Sequence, residues 1–348
     1  MFVFVHRNFF INSNVGIIHK TGHKVQDSKY ITVYICLSYM FVLNFPEYKM
    51  LGEYNIILVF YITECVEYIH RLDYPCKGNH NTKMQRLYNP EKNCNDINIG
   101  ITSTFGGVGG VNAYREEFPH MGLLGYGDDI KSVGWLCGGT VISERFILTA
   151  GHCLGPVKYI ALGILNRSDP PELWRIYNVK RRIPHPEYKP PSKYHDIALL
   201  ETDTEITFSK QVLPACLHAT GEAEQHLYAT GWGALGHRKE LADTLQKVRK
   251  TSFKDECSKY YPPHRHLKNG YNHTTQMCYG DKKGADTCQG DSGGPLQTFR
   301  NNYVDKIYCV YTVAGVTSYG RQCGIADGSG IYTRVIHYVP WIESIVWP

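Results

Sequence analysis

The last two-thirds of this chain consist of many short apolar runs separated by turn residues. From about residue 107 onward, runs such as RFILTA, YIALG, DIALLE, YCVYTVAGVTSYG and GIYTRV alternate with glycine, proline and aspartate. Most of these runs are shorter than a typical helix, and their regular punctuation is typical of strands joined by turns. The sequence therefore predicts an all-β barrel or sandwich.

The C-terminus has a different pattern. Pro340 stands where a helix could begin, because proline lacks an N–H group that the first helical turn leaves unpaired in any case. One apolar face would then follow, made of Trp341, Ile342, Ile345 and Val346. We expect an all-β body closed by one C-terminal helix.

Composition limits the class of protein and its compartment. The chain has 348 residues, enough for one large domain or two smaller ones. Its net charge of +5 is not gathered into long basic runs, so binding to nucleic acid or to a membrane surface has little support. Twelve cysteines without CxxC pairs or zinc-site spacing indicate disulfides and secretion. Sequons at Asn166 and Asn272 agree with a secreted glycoprotein.

Residues 1–106 differ in composition from the rest and are rich in Asn, Tyr, Ile and Lys. The runs at 30–45 and 55–63 are apolar enough for the core of a signal peptide or a short anchor. Neither run has a basic flank followed by a small-residue cleavage site. We expect residues 1–106 to be a targeting or pro-segment. A membrane-anchored, receptor-like protein is the alternative that the run at 30–45 leaves open.

The stretch CQGDSGGPL, from Cys288 to Leu296, places one hydroxyl between an acid and two glycines. Such a cluster usually marks only a turn. A serine oxygen becomes a strong nucleophile when a base removes its proton, and that base is most often histidine. His152 follows an apolar run in FILTAGHC, beside a cysteine that can fix its backbone. The alternative is a half-buried histidine next to a structural disulfide.

A catalytic histidine also needs a carboxylate that fixes its tautomer. Asp196 opens the apolar run in YHDIALL, where an unpaired charge would be costly. We therefore expect Asp196 to pair with the imidazole of His152. The alternative is a turn aspartate at the entrance of a strand.

Three stretches in this order resemble the trypsin-like serine proteases of the chymotrypsin family: WLCGGTVISERFILTAGHC, DIALL and DTCQGDSGGPL, followed by VTSYG and GIYTRV. The resemblance covers about residues 107–348, and the order His152, Asp196, Ser292 is that of the family. EFPHM and VTSYGRQCG resemble in particular the arthropod snake-like proteases of extracellular cascades.

The resemblance implies two packed six-stranded antiparallel β-barrels with a catalytic cleft between them, formed by residues 107–348. It implies that Ser292 is the nucleophile, His152 the base and Asp196 its orienting acid. The N–H groups of Gly290 and Ser292 match the family's oxyanion hole, and a side chain at Gly290 would crowd that site. One departure is Gly151, where most relatives carry alanine. It removes a methyl group and loosens the backbone, but no catalytic group is lost.

The resemblance also implies a substrate class. Asp286 matches the base of the family's primary specificity pocket, Gly320 and Gly330 match its open walls, and a carboxylate there favours Arg or Lys before the cut. Ser318 and Tyr319, with Gly320, match the strand edge that pairs with the substrate backbone. Neither a metal nor an organic cofactor is expected. The expected partners are protein substrates, an upstream activating protease and serpin-type inhibitors.

Family likeness suggests a disulfide pattern. Three expected bridges match the family pattern, namely Cys137–Cys153, Cys257–Cys278 and Cys288–Cys323. Cys216 matches the cysteine that tethers a propeptide, with Cys94 as the expected partner. The partners of the remaining cysteines stay open, namely Cys36, Cys65, Cys76 and Cys309.

Relatives are made as zymogens, and this chain departs from them at the activation site. In the family a new amino terminus pairs with the acid before the catalytic serine, here Asp291. The matching segment puts Gly107 where isoleucine is expected, and Gly106 precedes it in place of a basic residue. A non-tryptic activator, a weakly activated enzyme and a mistaken exon boundary all stay open. The principal hypothesis is a secreted endopeptidase, and its alternative is a non-catalytic or poorly activated homologue that binds or scaffolds cascade partners.

Overall fold

The computed structural model describes a limited set of residues, namely 30–34, 42–46, 110–253, 256–281, 287–300, 310–320, 323 and 328–348. The chain divides into two compact units, Met1–Ile56 and Ile57–Pro348. In the first unit, strands β1 (Tyr30–Tyr34) and β2 (Val42–Pro46) form an antiparallel pair. The described parts of the apolar run at 30–45 are therefore strands.

No helix within the described ranges has both the length and the apolar character needed to cross a bilayer.

In the second unit, a closed antiparallel barrel forms from six strands in the order β4-β5-β6-β9-β8-β7. Their bounds are β4 Met121–Tyr126, β5 Gly134–Val141, β6 Phe146–Thr149, β7 Val157–Leu162, β8 Arg175–Pro184 and β9 Ala198–Thr202. A short strand, β3 (Val111–Asn112), precedes them. All five residues of β9 are buried, whereas β8 alternates between half-buried and exposed positions because one of its faces meets solvent.

A second set of six strands also closes on itself, because β15 pairs with both β14 and β16. These strands are β11 His226–Gly231, β12 Gln246–Ser252, β13 Gln276–Asp281, β14 Pro295–Arg300, β15 Val310–Gly320 and β16 Gly328–Arg334. Strand β10 (Cys216–Leu217) adds to β15 in parallel, and β3 adds to β12. The predicted fold of two six-stranded antiparallel barrels is confirmed.

Two α-helices are described, α1 (Cys257–Tyr260) and the C-terminal α2 (Val335–Val346). Helix α2 confirms the predicted C-terminal helix, but its predicted start at Pro340 is wrong. The helix begins five residues earlier and contains Pro340 in its interior. Val335 and Tyr338 are almost fully buried in the core cluster of the first barrel, so packing outweighs the hydrogen bond that the proline cannot make.

A buried polar chain joins the two barrels. His120, directly before β4, bonds through Nε2 to Oε1 of Gln297 on β14. Gln297 Nε2 donates in turn to Oγ1 of Thr230 on β11, at 3.2 Å. The ring of Tyr311 lies against His120, with 4.8 Å between ring centroids. All four side chains are almost completely removed from solvent, so each of these polar contacts replaces hydration.

The burial of His120 predicts acid sensitivity. Desolvation lowers its pKa to about 4, against 6.5 for an ordinary histidine, so the folded protein holds it neutral. Its stabilising contribution is complete above pH 6.5 and is lost as the pH falls from there to about 4, because the unfolded chain binds the proton first. The loss amounts to about 3 kcal/mol by pH 4.

Denaturant unfolding at pH 7 and pH 4.5 measures this effect. His120→Gln should lose markedly less stability between the two pH values than the unmodified protein does. His237→Gln removes an exposed histidine and should not change the difference. An unchanged pH dependence in His120→Gln would exclude His120 as its source.

Candidate active site

His152 and Asp196 are joined by two hydrogen bonds. His152 lies in a 3₁₀ turn, Gly151–Cys153, that follows strand β6. Asp196 lies two residues before strand β9, which pairs with β6, so sheet pairing places the two residues side by side. The backbone N–H of His152 donates to Asp196 Oδ1 at 2.8 Å, and Nδ1 lies 2.7 Å from Oδ2.

This contact determines the tautomer of the imidazole. A carboxylate can only accept, so Nδ1 carries the proton and Nε2 is left with its lone pair. The side chain of Asp196 is 1% exposed and that of His152 is 29% exposed. The acid is therefore held inside the protein while the imidazole reaches solvent at the cleft.

A strand irregularity supplies Asp196 with a third donor. The register between β15 and β16 shifts between Thr317 and Tyr319, which leaves Ser318 at a bulge. Its hydroxyl donates to Asp196 Oδ2. Thr333 on β16 fixes the backbone of the same residue by donating to the carbonyl oxygen of Asp196 at 2.8 Å. The buried charge is thus satisfied from both barrels.

Ser292 lies beside the segment that carries His152. Its carbonyl oxygen accepts from the backbone N–H of Gly138 at 2.8 Å. Gly293 has a φ of 78°, and a Cβ at that position would come within 2.2 Å of Thr149 Oγ1 and 3.2 Å of Ala150 N. Glycine is therefore required for the chain after Ser292 to pack against the end of β6, three residues before His152.

The turn around Ser292 leaves two amide donors available. Gln289 O accepts from Ala234 N at 2.7 Å, so the N–H of Gly290 in the same planar trans peptide points the opposite way. Asp291, Gly293 and Gly294 each donate their N–H to a backbone carbonyl. Among the described residues, nothing accepts from the N–H groups of Gly290 and Ser292. This pair can stabilise a negatively charged oxygen.

A φ of 102° and close contacts explain why position 290 is glycine. A Cβ on Gly290 would lie 3.0 Å from Gly233 Cα and 3.0 Å from Leu241 Cδ2. A side chain there would strain the turn and crowd Gly233 and Leu241.

The carboxylate of Asp291 is held in a glycine-lined recess. Oδ1 accepts from Gly233 N and Oδ2 from Cys288 N, each at 2.8 Å. A Cβ on Gly231 would come within 2.1 Å of Oδ1, and one on Gly233 within 2.4 Å of Cγ. The acid before Ser292 therefore points into the second barrel.

The expected specificity pocket is described only in part. Asp286 lies outside the described residues, but Thr287, the next residue, contacts Tyr332 through hydroxyl groups 3.2 Å apart. Gly320 and Gly330 stand opposite each other across β15 and β16, and a Cβ on Gly330 would lie 3.2 Å from Thr287 Oγ1. Gly330, with Gly320 opposite it, therefore lies beside Thr287, the residue that follows Asp286.

Beyond Thr317, strand β15 offers an edge. Thr317 still exchanges backbone hydrogen bonds with Gly293 and Gly294, whereas residues 318–320 pair only with β16 among the described strands. Tyr319 is held by Gln276, whose Nε2 donates to its hydroxyl at 3.3 Å, and the Lys193 ammonium lies 5.5 Å from the centre of its ring. An extended peptide can add to this edge.

Sequence reasoning overlooked two side chains here. Lys193 has no motif of its own, and only the basic character of the loop before Asp196 could have indicated it. Tyr188 explains Gly151, because a Cβ at Gly151 would come within 2.7 Å of the Tyr188 ring. The structure adds a packing reason for glycine at this position, since the aromatic ring fills the space that the missing methyl group would occupy.

The structure contains disulfides at Cys137–Cys153, Cys257–Cys278 and Cys288–Cys323. The first ties the turn of His152 to β5, and the third closes the pocket segment around Thr287. Cys216 is also disulfide-bonded. Every other described cysteine pairs within this set, so the partner of Cys216 lies outside the described residues, as do Cys94 and Gly107.

The two sequons differ in their surroundings. Asn166 is half-buried, its Nδ2 donates to Asp169 Oδ1 at 3.1 Å, and its Oδ1 accepts from Thr244 at 2.9 Å. Asn272 is exposed and lies in the turn before β13, where its Oδ1 accepts from Thr274 N at 3.0 Å. Only Asn272 presents its side chain to solvent.

Comparison with known proteins agrees with this geometry. The sequence model of the family described as Trypsin matches residues 107–342. "Serine protease snk" of Drosophila melanogaster is 34% identical over 69% of this chain and 57% of its own length. "CLIP domain-containing serine protease C9" of Anopheles gambiae is 34% identical over 68% of this chain and 67% of its own.

Two further relatives complete the comparison. "Melanization protease 1" of Drosophila melanogaster is 33% identical over 69% of this chain and 65% of its own length. The structure of neuropsin, a serine protease of mouse brain, superimposes with a TM-score of 0.57 at 26% identity, covering 68% of this chain and 98% of that one. The chain thus spans between about half and two-thirds of its arthropod relatives. The predicted likeness to snake-like proteases is confirmed, and the chain belongs to the trypsin family of serine proteases.

Proposed function

We propose that this protein is a secreted serine endopeptidase that cleaves after Arg or Lys by way of an acyl-enzyme. The observation that carries the proposal is the doubly hydrogen-bonded pair of His152 and Asp196, which leaves Nε2 as a base beside the Ser292 turn. A non-catalytic binding partner would not need this buried, fully satisfied carboxylate. In this proposal residues 107–348 form the protease domain and residues 1–106 precede it as a pro-segment.

Acylation follows from the geometry. Nε2 of His152 removes the proton of Ser292 Oγ as that oxygen attacks the scissile carbonyl carbon. The carbonyl oxygen gains negative charge and is stabilised by the N–H groups of Gly290 and Ser292. The imidazolium that forms is stabilised by Asp196, then gives its proton to the leaving amine as the C–N bond breaks.

Deacylation repeats these steps with water. The same Nε2 takes a proton from water as it attacks the ester, and the proton returns to Ser292 Oγ when the acid product leaves. A serine-directed phosphonate should therefore label Ser292 in the active protein, and no other serine.

Asp286 is proposed to bind the basic side chain, and its replacement is a direct test. Asp286→Ser should reduce kcat/KM on Arg and Lys substrates by about 10²–10³, because the substrate cation loses its buried partner at a cost of about 2–5 kcal/mol. Labelling of Ser292 by an uncharged phosphonate should be unaffected, since the triad is intact. Peptides that differ only in the residue before the cut measure the preference.

Asp281→Ser is the matched control, because it removes a nearby acid from the end of β13 and should leave the preference unchanged. If the unmodified enzyme prefers Phe or Leu, the assignment of Asp286 is wrong, although the serine protease proposal stands.

Secretion and a place in an extracellular cascade are supported by the disulfides and by the names of the arthropod relatives. The proposed partners are protein substrates with Arg or Lys at the cut, an upstream activating protease and serpin-type inhibitors.

The sequence predicts glycosylation at both sequons, and of the two we propose Asn272 as the occupied one. Its exposed amide can accept an oligosaccharide without loss of protein contacts, whereas a glycan on the half-buried Asn166 would crowd its contacts with Asp169 and Thr244. Peptide-N-glycosidase treatment of secreted protein should therefore shift the unmodified chain and Asn166→Gln, but not Asn272→Gln. A glycan retained in Asn272→Gln would contradict this preference.

A further inference from the structure

A group of possible metal ligands lies behind the catalytic acid. His185 follows β8 directly, Glu187 is two residues further on, and His195 precedes Asp196. One nitrogen of each imidazole and one carboxylate oxygen of Glu187 lie within 4.8 Å of one another. We call these three residues the histidine cluster.

The two rings are held in place by their neighbours. His185 and His195 are stacked, with 5.5 Å between centroids and 13° between planes. Tyr338 and Trp341 of α2 contact the His185 ring edge to face, at 4.9 and 5.0 Å. The hydroxyl of Tyr338 lies 3.0 Å from His195 Nδ1. Histidine side chains fixed by their neighbours in this way resemble the supported ligands of metal sites.

The cluster is accessible, and its third ligand can move. The Glu187 side chain is 68% exposed and its Oε2 lies 3.8 Å from His195 Nδ1. Ligands around a zinc ion are about 3.3 Å apart, given bonds of about 2.0–2.1 Å, so the three groups must draw together by up to about 1.5 Å and the stacked rings must tilt towards a shared ion. Two imidazoles, one carboxylate and a water molecule suit Zn²⁺ or a similar first-row divalent ion.

The cluster is mechanically connected to the active site. His195 has a φ of 55°, an uncommon conformation for a residue with a side chain, and it is the neighbour of Asp196. The backbone N–H of His185 donates to Ile197 O at 3.1 Å, on the other side of the same aspartate. A metal ion that draws His185 and His195 together therefore acts on the turn that orients His152.

We propose that the histidine cluster is a divalent-metal site and that Zn²⁺ bound there inhibits the enzyme by displacing Asp196. The inhibition rests on the proposed function, whereas metal binding does not. The sequence analysis expects no metal, because these ligands follow no zinc-site spacing and are brought together by the packing of β8, the loop before β9 and α2.

Calorimetric titration of the full chain with Zn²⁺, and the visible absorption of bound Co²⁺, test binding without any assay of activity. We expect one ion per chain, and His185→Asn should weaken its affinity at least tenfold. Glu187→Gln provides a second test at an exposed position that folding does not depend on. The double variant His264→Asn, His266→Asn removes another neighbouring histidine pair as a control and should bind as the unmodified chain does.

In the activated enzyme, saturating Zn²⁺ should lower kcat about tenfold or more without raising KM. The same Zn²⁺ concentration should lower the kcat of Glu187→Gln by a smaller factor. Three results would overturn the proposal: no binding to the unmodified chain, unchanged affinity in both cluster variants, or inhibition that competes with substrate, which would place the ion at His152. Binding without any inhibition would retain the metal site and refute its effect on catalysis.

Discussion

Replacing Ser292 with alanine is expected to lower kcat on an Arg substrate by about 10⁶. A serine nucleophile and its base act as one unit, so His152→Ala should cost as much, and the double variant should cost no more than either one. Asp196→Asn should cost about 10⁴, because an amide can hold the imidazole in the wrong tautomer.

The residual rate in Ser292→Ala comes from binding and from the amides of Gly290 and Ser292. Single-turnover kinetics measure the rate that each variant retains. Phosphonate labelling measures whether residue 292 still reacts as a nucleophile. Ser344→Ala is a suitable control, because Ser344 is an exposed serine of α2 with a hydroxyl bonded only to its own helix. If Ser292→Ala kept more than a hundredth of the activity, another nucleophile would have to be sought.

Trypsin should activate a variant of this chain that carries Gly106→Arg and Gly107→Ile. The cut would expose an isoleucine amine at position 107, which we expect to pair with Asp291. Burying that side chain gains about 1.5–3 kcal/mol relative to glycine, which corresponds to roughly a tenfold to hundredfold larger active fraction. The expected result is an increase of at least about tenfold in kcat/KM after cleavage.

The surroundings of Asp291 support this expectation. Its carboxylate lies in a recess that only glycine permits at positions 231 and 233, and it accepts from Gly233 and Cys288 amides. Those contacts fix Cys288, two residues before Gly290, and Gly233, whose Cα would lie 3.0 Å from a Cβ on Gly290. An ammonium group beside Asp291 would therefore hold the oxyanion amides and the pocket in one arrangement.

The matched control is Gly106→Arg alone, which is cut at the same place but exposes a glycine amine. After cleavage its kcat/KM should rise less than that of the double variant. The ratio of the two values measures the contribution of the isoleucine side chain. An uncleaved, unmodified chain that hydrolyses Arg substrates as fast as the cleaved double variant would contradict the zymogen proposal. N-terminal sequencing of each product establishes where the cut was made.

Several features were determined by the sequence alone. Short apolar runs with turn residues between them are sufficient to predict many strands, because strand formation depends on local alternation and turn chemistry. Motifs around His152, Asp196 and Ser292 were sufficient to predict the family, since each combines a rare residue type with a fixed neighbourhood. The bridges at Cys137, Cys257 and Cys288 were inferred from family likeness and are present in the structure.

Only the tertiary structure decided how distant segments meet. The partner of Ser318, the ring of Tyr188 over Gly151 and the recess around Asp291 depend on a register shift in β15 and on backbone approach across the barrels, which local pattern does not encode. The early start of α2 was likewise decided by burial of Val335 and Tyr338. The histidine cluster exists because three separate segments converge behind Asp196, and convergence of that kind is set by packing and not by spacing along the chain.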